Sequence, residues 1–331
     1  MPFETLEQLE RLDSKLKCEL GVAVVMALEN PDVIEICINS DGRIWLEEKT
    51  KHLYDSGNTI SAEKLTAALG TVAAMSGKEL NSSKPKISAK LPLDGSRVEG
   101  TIPPLSPDGP SVCIRKHAST IFPLSKYVDE KRIPKVAAEY LADSIRNAKN
   151  IVVAGGTSSG KTTFVNALIR EMFAMVPQDR LLVIEEDPPE LHCATTNKQN
   201  FVATEEVTMQ SVMKTAMRYR PDRIIIGEVR GGEALDLLKS WNTGHPGGFA
   251  TLHANSAPAA LIRLEQLVAE ASKSPLPALI AEAANIIVYM QEFGKVGRQV
   301  TEIIRVTGYK KGEYVYETVY ESGEANRRKN G

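Results

Sequence analysis

The stretch "NIVVAGGTSSGKTTFVNALI", Asn150 to Ile169, decides the fold of this chain. A short apolar run typical of a buried β-strand is followed by Gly155-x-x-x-x-Gly160-Lys161-Thr162, and an apolar pattern with helical period comes next. Glycines allow the backbone to curl so that its N–H groups point inward, and a helix N-terminus adds a positive dipole that favours phosphate. The segment therefore predicts a phosphate-binding loop.

The residues of this loop predict ATP and Mg²⁺ as ligands. Lys161 can bridge the β- and γ-phosphates, and the Thr162 hydroxyl is suited to ligate magnesium. The predicted nucleotide-binding residues are Gly155, Gly156, Thr157, Ser158, Ser159, Gly160, Lys161, Thr162 and Thr163.

Two further segments read as buried strands that end in acids. "RLLVIEEDPPEL" (180–191) ends in four carboxylates that include Glu185 and Glu186, and "RIIIGEVRGGEA" (223–234) ends in Gly227 and Glu228. In open α/β sheets, ligands bind at the carboxyl ends of the strands. Gly227 stands where a metal-binding aspartate would be expected, and the absence of a side chain there leaves room for a second carboxylate, Glu186 of the preceding acidic strand, and for the magnesium shell.

The segment "GHPGGFATLHANS" (244–256) carries His245 and His253 among glycines. The residues themselves leave two roles open for His253, a structural one and a catalytic one on the same sheet as the phosphate loop. Neighbouring residues lack the spacing of a metal site, so zinc coordination is not predicted.

Composition restricts the class of protein. The 331 residues carry a formal charge of −2, which offers no global reason for nucleic-acid binding, and the basic "RRK" at 327–329 reads as a solvated tail. The four cysteines are scattered, so neither a zinc site nor a disulfide framework is indicated, and reduced thiols in a cytoplasmic protein are expected. No signal peptide and no run of about 18 apolar residues is present, so any membrane association is expected to be peripheral.

The pattern of elements changes along the chain, and we expect an α/β protein with two domains. Residues 1–117 read as a small α+β domain, 118–133 as a linker, and 134–331 as a parallel α/β domain. The first domain begins with a leucine-striped helix that Gly21 can end, and this stripe packs either on its own domain or on a membrane or partner surface. A hairpin follows, with its turn at 41–42, and then a helix with Ser61 as its N-cap.

The order "GGTSSGKTT", "IEEDPPEL", "RPDRIIIGEVRGGEALDLLKSWNTGHPGGFATLHANS", "RLEQL" resembles the type II/type IV secretion traffic ATPases. The resemblance is greatest to conjugal-transfer ATPases of the TrbB type and is strongest over residues 150–291. It implies a RecA-like P-loop ATPase domain behind a smaller PAS-like N-terminal domain. It also implies a homohexameric motor in the cytoplasm, at the inner-membrane base of a type IV secretion or conjugation apparatus, working with other subunits of that machine.

The resemblance also implies roles for single residues. Glu186 matches the functional glutamate of the Asp box, chosen over Glu185 by counting back from "EL" at 190–191, and it would act on metal-bound water. Gly227-Glu228 matches an atypical Walker B motif, in which Glu228 would orient or deprotonate the attacking water; Glu186 and Glu228 could exchange roles. His253 belongs to the His box and would sense the γ-phosphate.

Two arginines of the N-terminal domain complete the implied catalytic set. Arg97 and Arg115 match residues that reach the nucleotide in this family, sometimes from a neighbouring subunit. The tetracysteine zinc module common in the pilus and type II branches is absent, which argues against the export-pilus branch.

Other functions remain as alternatives. One is a type II or pilus-retraction ATPase, another a RecA-like DNA translocase or helicase, and a third a nucleotide-binding scaffold that does not hydrolyse ATP. The near-neutral charge argues against the DNA translocase, because contacts to a nucleic-acid backbone are mainly cationic, and we expect no direct DNA binding.

Overall fold

A computed structural model describes residues 6–49, 51–116, 121–204, 206–293 and 297–323. The chain divides into two compact units, Met1–Ser119 and Thr120–Gly331.

The first unit is a six-stranded antiparallel sheet with two helices. Its elements are α1 (Leu6–Glu29), β1 (Val33–Ile38), β2 (Arg43–Glu48), β3 (Lys51–Thr59), α2 (Ala62–Met75), β4 (Lys86–Lys90), β5 (Arg97–Thr101) and β6 (Ser111–Arg115). The strand order is β3-β2-β1-β6-β5-β4. The core of this unit joins both helices to one face of the sheet, with Leu16, Val24, Leu69, Ile36 and Ile114 among its buried side chains.

Several predicted features of the first unit are confirmed. The hairpin of β1 and β2 pairs in antiparallel register, and Ser61 caps α2 by accepting a hydrogen bond from the Lys64 N–H. The predicted end of the first helix at Gly21 is confirmed. Gly21 has φ 77° and ψ 164°, which is not helical, so α1 consists of two helical segments that meet at this residue, and the second segment continues to Glu29 and buries Val24.

The prediction that all four cysteines are reduced is wrong. Cys37 on β1 and Cys113 on β6 are joined by a disulfide. They lie 76 residues apart in sequence, so their spacing gives no hint of the pair, but the antiparallel register of β1 and β6 places them directly opposite each other. Cys18 and Cys193 are free.

The second unit is an α/β domain built on an eight-stranded sheet. It begins with α3 (Leu124–Asp129), α4 (Lys135–Arg146), β7 (Ile151–Gly155), α5 (Lys161–Met175), β8 (Leu181–Glu186) and β9 (Lys198–Ala203). It continues with α6 (Met209–Ala216), β10 (Arg223–Ile226), α7 (Glu233–Asn242), β11 (Phe249–Leu252), α8 (Ala257–Ala271), α9 (Pro277–Ala283), β12 (Ile286–Phe293), β13 (Gly297–Lys310) and β14 (Glu313–Glu321).

The sheet order is β14-β13-β12-β7-β11-β10-β8-β9. Neighbouring strands from β12 to β9 are parallel, and β13 and β14 extend the sheet as an antiparallel hairpin. Strands β7, β8, β10 and β11 are buried throughout apart from Glu186, as expected for a parallel sheet covered by helices on both faces. Their carboxyl ends therefore open at one edge.

The structure differs from the sequence prediction within the range 118–133. Helix α3 lies in that range, and Leu124, Tyr127 and Ile133 are buried in the core of the second unit. The Pro and Ser residues that suggested a linker lie in the segment just before this helix and in its first turn. Among the described helices, none combines the length and the apolar character needed to cross a membrane. Residues 1–5, where the predicted leucine-striped helix begins, and the "RRK" tail at 327–329 lie outside the described residues.

The disulfide predicts a thiol count. Protein purified without reductant and unfolded in denaturant should titrate two thiols, Cys18 and Cys193, and four after reduction. A Cys37→Ser variant should titrate three thiols under both conditions, because Cys113 then has no partner. Four thiols in the unreduced wild-type protein would contradict the pairing. The cross-link closes a 76-residue separation and should stabilise the folded chain by about 4 kcal/mol.

Candidate nucleotide site

The predicted phosphate loop has the backbone that such a loop needs. It connects the end of β7 at Gly155 to the start of α5 at Lys161, and Ser158 and Gly160 adopt left-handed φ values of 59° and 89°. A Cβ on Gly155 would lie 2.5 Å from the Ser159 Oγ and 2.6 Å from the Met290 carbonyl oxygen. Gly155 therefore packs closely against the loop itself and against β12, and a side chain at position 155 cannot be accommodated.

Lys161 is buried at the start of the helix. Its Nζ donates hydrogen bonds to the carbonyl oxygens of Gly155 and Gly156, at 3.0 Å and 2.7 Å. Thr162 and Thr163 are half-buried in the first turn of α5. The cation and the hydroxyl predicted to meet phosphate and metal thus lie together at a helix N-terminus, where the helix dipole also favours an anion.

Strands β8 and β10 bring two acids to the same edge of the sheet. The strands are parallel neighbours, with Ile184 opposite Ile226, so Glu186 and Glu228 both follow at their carboxyl ends. Arg230 joins them. Its Nη1 donates to Glu186 Oε2 and its Nη2 to Glu228 Oε2, each at 2.7 Å.

The room that Gly227 leaves is taken by Glu185 and not, as expected, by Glu186. A Cβ on Gly227 would lie 3.0 Å from the Glu185 Cγ and 3.2 Å from its Oε1. The Glu185 side chain is buried, and its Oε1 accepts hydrogen bonds from the N–H groups of Glu190 and Leu191, at 2.7 Å and 2.8 Å. Glu185 therefore shapes the loop after β8, whereas Glu186 is directed to the exposed side.

His253 lies at the end of β11, next to Glu228. Its Nε2 is 2.9 Å from Glu228 Oε1, which is buried and has no aligned hydrogen-bond donor. Burial, followed by the nearby Lys161 charge, lowers the pKa of His253, while Glu228 acts in the opposite direction. The imidazole is therefore neutral near pH 7. Glu186, Arg230, Glu228 and His253 thus contact one another in that order.

Further contacts hold the two ends of β10 and β11. At the edge opposite the site, where both strands begin, His245 Nδ1 lies 2.7 Å from the Pro221 carbonyl oxygen, so this histidine supports a loop. Thr251 Oγ1 donates to the Gly227 carbonyl oxygen at 2.6 Å, and the Val229 N–H donates to the Thr251 carbonyl oxygen at 2.8 Å. These contacts tie the segment that follows β10 to β11.

An open pocket adjoins the loop. It is lined by residues of the loop, by the segment after β11 and by α8, among them Gly155, Thr157, His253, Asn255 and Arg263. The loop winding, the Lys161 cation and the Glu228 Oε1, which is buried and has no aligned donor, fit the terminal phosphates and the magnesium of a nucleotide.

Arg97 and Arg115 lie in the first unit, directly opposite each other on β5 and β6. Arg97 also binds Glu99, with its Nη2 3.1 Å from Glu99 Oε1. Arg115 is close enough to Glu35 to lower the pKa of that carboxyl, although burial of Glu35 dominates and raises it. The two arginines thus form one cationic pair on the sheet.

Sequence reasoning did not give Arg230 or Glu233 a role. Glu233 is buried, and its Oε1 accepts hydrogen bonds from the N–H groups of Arg230 and Gly231, at 2.7 Å and 2.9 Å. An acid three residues after Arg230, in the first turn of α7, could have indicated this cap. The bridging of two acids by Arg230 has no local signal, because it depends on the strand register.

The different positions of the two neighbouring acids predict different effects on stability. Glu185→Ala should lower the free energy of unfolding by about 2–3 kcal/mol, because one buried and one half-buried backbone N–H group lose a charged acceptor. Glu186→Ala should change it by less than about 0.5 kcal/mol, because the side chain is exposed. Urea unfolding followed by circular dichroism measures both. An equal loss in the two variants would contradict the position of Glu185.

Comparison with known proteins identifies the family of this chain. Residues 20–304 match the family model described as type II/IV secretion system protein. The chain is 42% identical to the conjugal transfer protein TrbB of Rhizobium radiobacter over 92% of its own length and 93% of the relative. It is 31% identical to the type IV secretion system protein PtlH of Bordetella pertussis, covering 83% of this chain and 91% of PtlH.

A solved structure shows the same fold. The Legionella pneumophila ATPase DotB superimposes with a TM-score of 0.60 at 20% identity, covering 85% of this chain and 79% of DotB. This similarity supports the RecA-like α/β fold with a smaller N-terminal domain. The family match spans most of the sequence, including the phosphate loop and both acidic strands, and this chain therefore belongs to the type II/IV secretion system protein family.

Proposed function

We propose that this protein is a motor ATPase that hydrolyses ATP to power a type IV secretion or conjugal transfer apparatus. The observation that carries the proposal is the meeting, at one edge of a parallel sheet, of a wound phosphate loop and the group Glu186, Arg230, Glu228 and His253. The names of its relatives TrbB and PtlH support the choice of conjugal transfer and type IV secretion as the process it serves.

Each residue of the candidate site has a separate role in the proposed hydrolysis. Lys161 holds the terminal phosphates with the loop N–H groups, and Thr162 supplies a hydroxyl to magnesium. Glu228 orients the attacking water, because its Oε1 is a buried acceptor without an aligned donor. Glu186, more exposed, would hold the water shell of a bound magnesium. When bound, magnesium neutralises charge that develops on the phosphates.

His253 and the first unit respond to the nucleotide. The neutral His253 imidazole, beside Glu228, can exchange hydrogen bonds with the γ-phosphate without adding a charge. Arg97 and Arg115 supply cations to the nucleotide, from the same or a neighbouring subunit, when the chains assemble as a homohexamer. We place this ring in the cytoplasm, peripherally bound at the inner membrane and in contact with other subunits of the transfer machine.

Lys161→Ala should abolish ATP turnover and leave the melting temperature near that of the wild type, because it removes a phosphate-binding charge and little core packing. Phosphate release measures turnover, with and without DNA and phospholipid. Lys149→Ala is the matched control, since Lys149 is exposed just before β7, at the end away from the loop. Wild-type turnover in Lys161→Ala would overturn the assignment of this site, and a requirement for DNA would favour a translocase.

The proposed role in transfer is tested in cells. In a donor strain whose own copy of the gene is deleted, the wild-type protein should restore plasmid transfer, and Lys161→Ala should not. Restoration by both proteins would mean that transfer does not need hydrolysis at this site.

Arg115→Ala should slow turnover by up to about 10³-fold if the residue acts as an arginine finger. Mixing Arg115→Ala with Lys161→Ala subunits tests whether the site is shared, because a mixed ring can form a site from one intact loop and one intact arginine. Recovered activity in the mixture would support a site shared between subunits, and no recovery would mean that Arg115 acts within its own subunit. Light scattering with and without ATP gives the particle mass, and a strict monomer under both conditions would contradict the ring.

A further inference from the structure

We propose that Arg230 is a positioning residue for hydrolysis: by bridging Glu186 and Glu228, its guanidinium fixes which oxygen of Glu228 faces the reacting water. This inference rests on the proposed ATPase function. It assigns Arg230 a role in turnover through Glu228, separate from nucleotide binding.

The bridge uses both arms of one guanidinium. Nη1 is 2.7 Å from Glu186 Oε2, and Nη2 is 2.7 Å from Glu228 Oε2. The two acids come from adjacent parallel strands, so without a cation between them their charges would repel and the side chains would separate. A planar fork with fixed donor directions can hold two carboxylates in one arrangement, whereas a lysine is a single point charge.

The backbone of Arg230 is itself fixed. Its N–H donates to Oε1 of the buried Glu233 at 2.7 Å, and the preceding residue, Val229, donates to the Thr251 carbonyl oxygen at 2.8 Å. The fork therefore extends from an anchored segment, although its tip is half exposed. The pKa of Arg230 is raised, first by its hydrogen bond to Glu228, so the bridge stays charged.

The bridge leaves the two oxygens of Glu228 in different situations. Oε2 is committed to Arg230, whereas Oε1 is buried, 2.9 Å from His253 Nε2, and without an aligned donor. Oε1 is thus the acceptor that remains for water. If Arg230 is lost, Glu228 can rotate about its side-chain bonds, and the orientation of Oε1 is no longer set.

Steady-state kinetics on the full-length protein tests this role. Arg230→Ala should reduce kcat by about 10²-fold, the size of effect that an ångström-scale misplacement can produce. The affinity for a fluorescent ATP analogue should change by no more than about threefold, because Arg230 contacts the acids and not the phosphate loop. Arg230→Lys keeps the charge but cannot form the fork, and it should remain impaired by at least about tenfold.

Chemical rescue separates positioning from a purely structural role. Free guanidinium at millimolar concentration should restore part of the kcat of Arg230→Ala, because the half-exposed bridge site can admit it, and should leave Arg230→Lys unchanged. The matched control is Arg305→Ala. Arg305 has the same side-chain exposure, 51%, and pairs with Glu317 at 2.8 Å on β13 and β14. Arg305→Ala should therefore keep the wild-type kcat, and free guanidinium should not change it.

The outcomes distinguish this inference from the function it rests on. If the wild-type protein does not hydrolyse ATP, the proposed function fails. If the wild type is active and either Arg230 variant keeps its full kcat, or if ATP affinity falls in step with kcat, the positioning role fails while the ATPase stands. If Arg230→Ala does not fold, Arg230→Lys alone tests the positioning role of Arg230, and a wild-type kcat in Arg230→Lys would contradict that role.

Discussion

The parallel register of the central strands is the constraint on which the candidate site depends. β7, β11, β10 and β8 lie side by side in that order and run in the same direction, so the phosphate loop, His253, Glu228 and Glu186 all leave the sheet at one edge. A shift of β8 against β10 by one residue would turn Glu185 to the exposed side and bury Glu186 in its place. Register therefore decides which acid buttresses a loop and which one meets Arg230.

Five acids of the second unit fall into two groups that differ in burial. Glu185, Glu233 and Glu302 are buried, and each accepts backbone N–H groups: Glu302 Oε2 binds the N–H of Ala257 at the start of α8, at 2.8 Å. Such carboxylates replace lost hydration with charge-assisted hydrogen bonds. Glu186 and Glu228 instead share a guanidinium at the open edge. The first group shapes the loops around the site, and the second is available for chemistry.

In the first unit, too, strand register brings together side chains that are distant in sequence. The face of the sheet away from α1 and α2 carries the disulfide between Cys37 and Cys113, and Arg115 lies two residues beyond Cys113 on the same face. Arg97 is opposite Arg115. The cross-link therefore ties β1 to the strand that presents one of the two proposed nucleotide-contacting arginines, and both features depend on pairings between strands distant in sequence.

The sequence by itself determined those features that depend on neighbouring residues. The strand, glycine-rich loop and helix around Lys161, the acids that end β8 and β10, the hairpin of β1 and β2, and the Ser61 cap are all local, and the family resemblance follows from the order of these motifs.

Only the tertiary structure decided the features that require two segments to meet. The local acid pattern around Gly227 could not show that Glu185 fills its space, because the contact joins two strands more than 40 residues apart. The Cys37–Cys113 pair and the Arg230 bridge are unpredictable for the same reason. Gly21 ends the first helical segment, as its local sequence indicated, but that a second helical segment follows it and packs in the same core depends on tertiary contacts. Packing and register supplied the information that local sequence lacks.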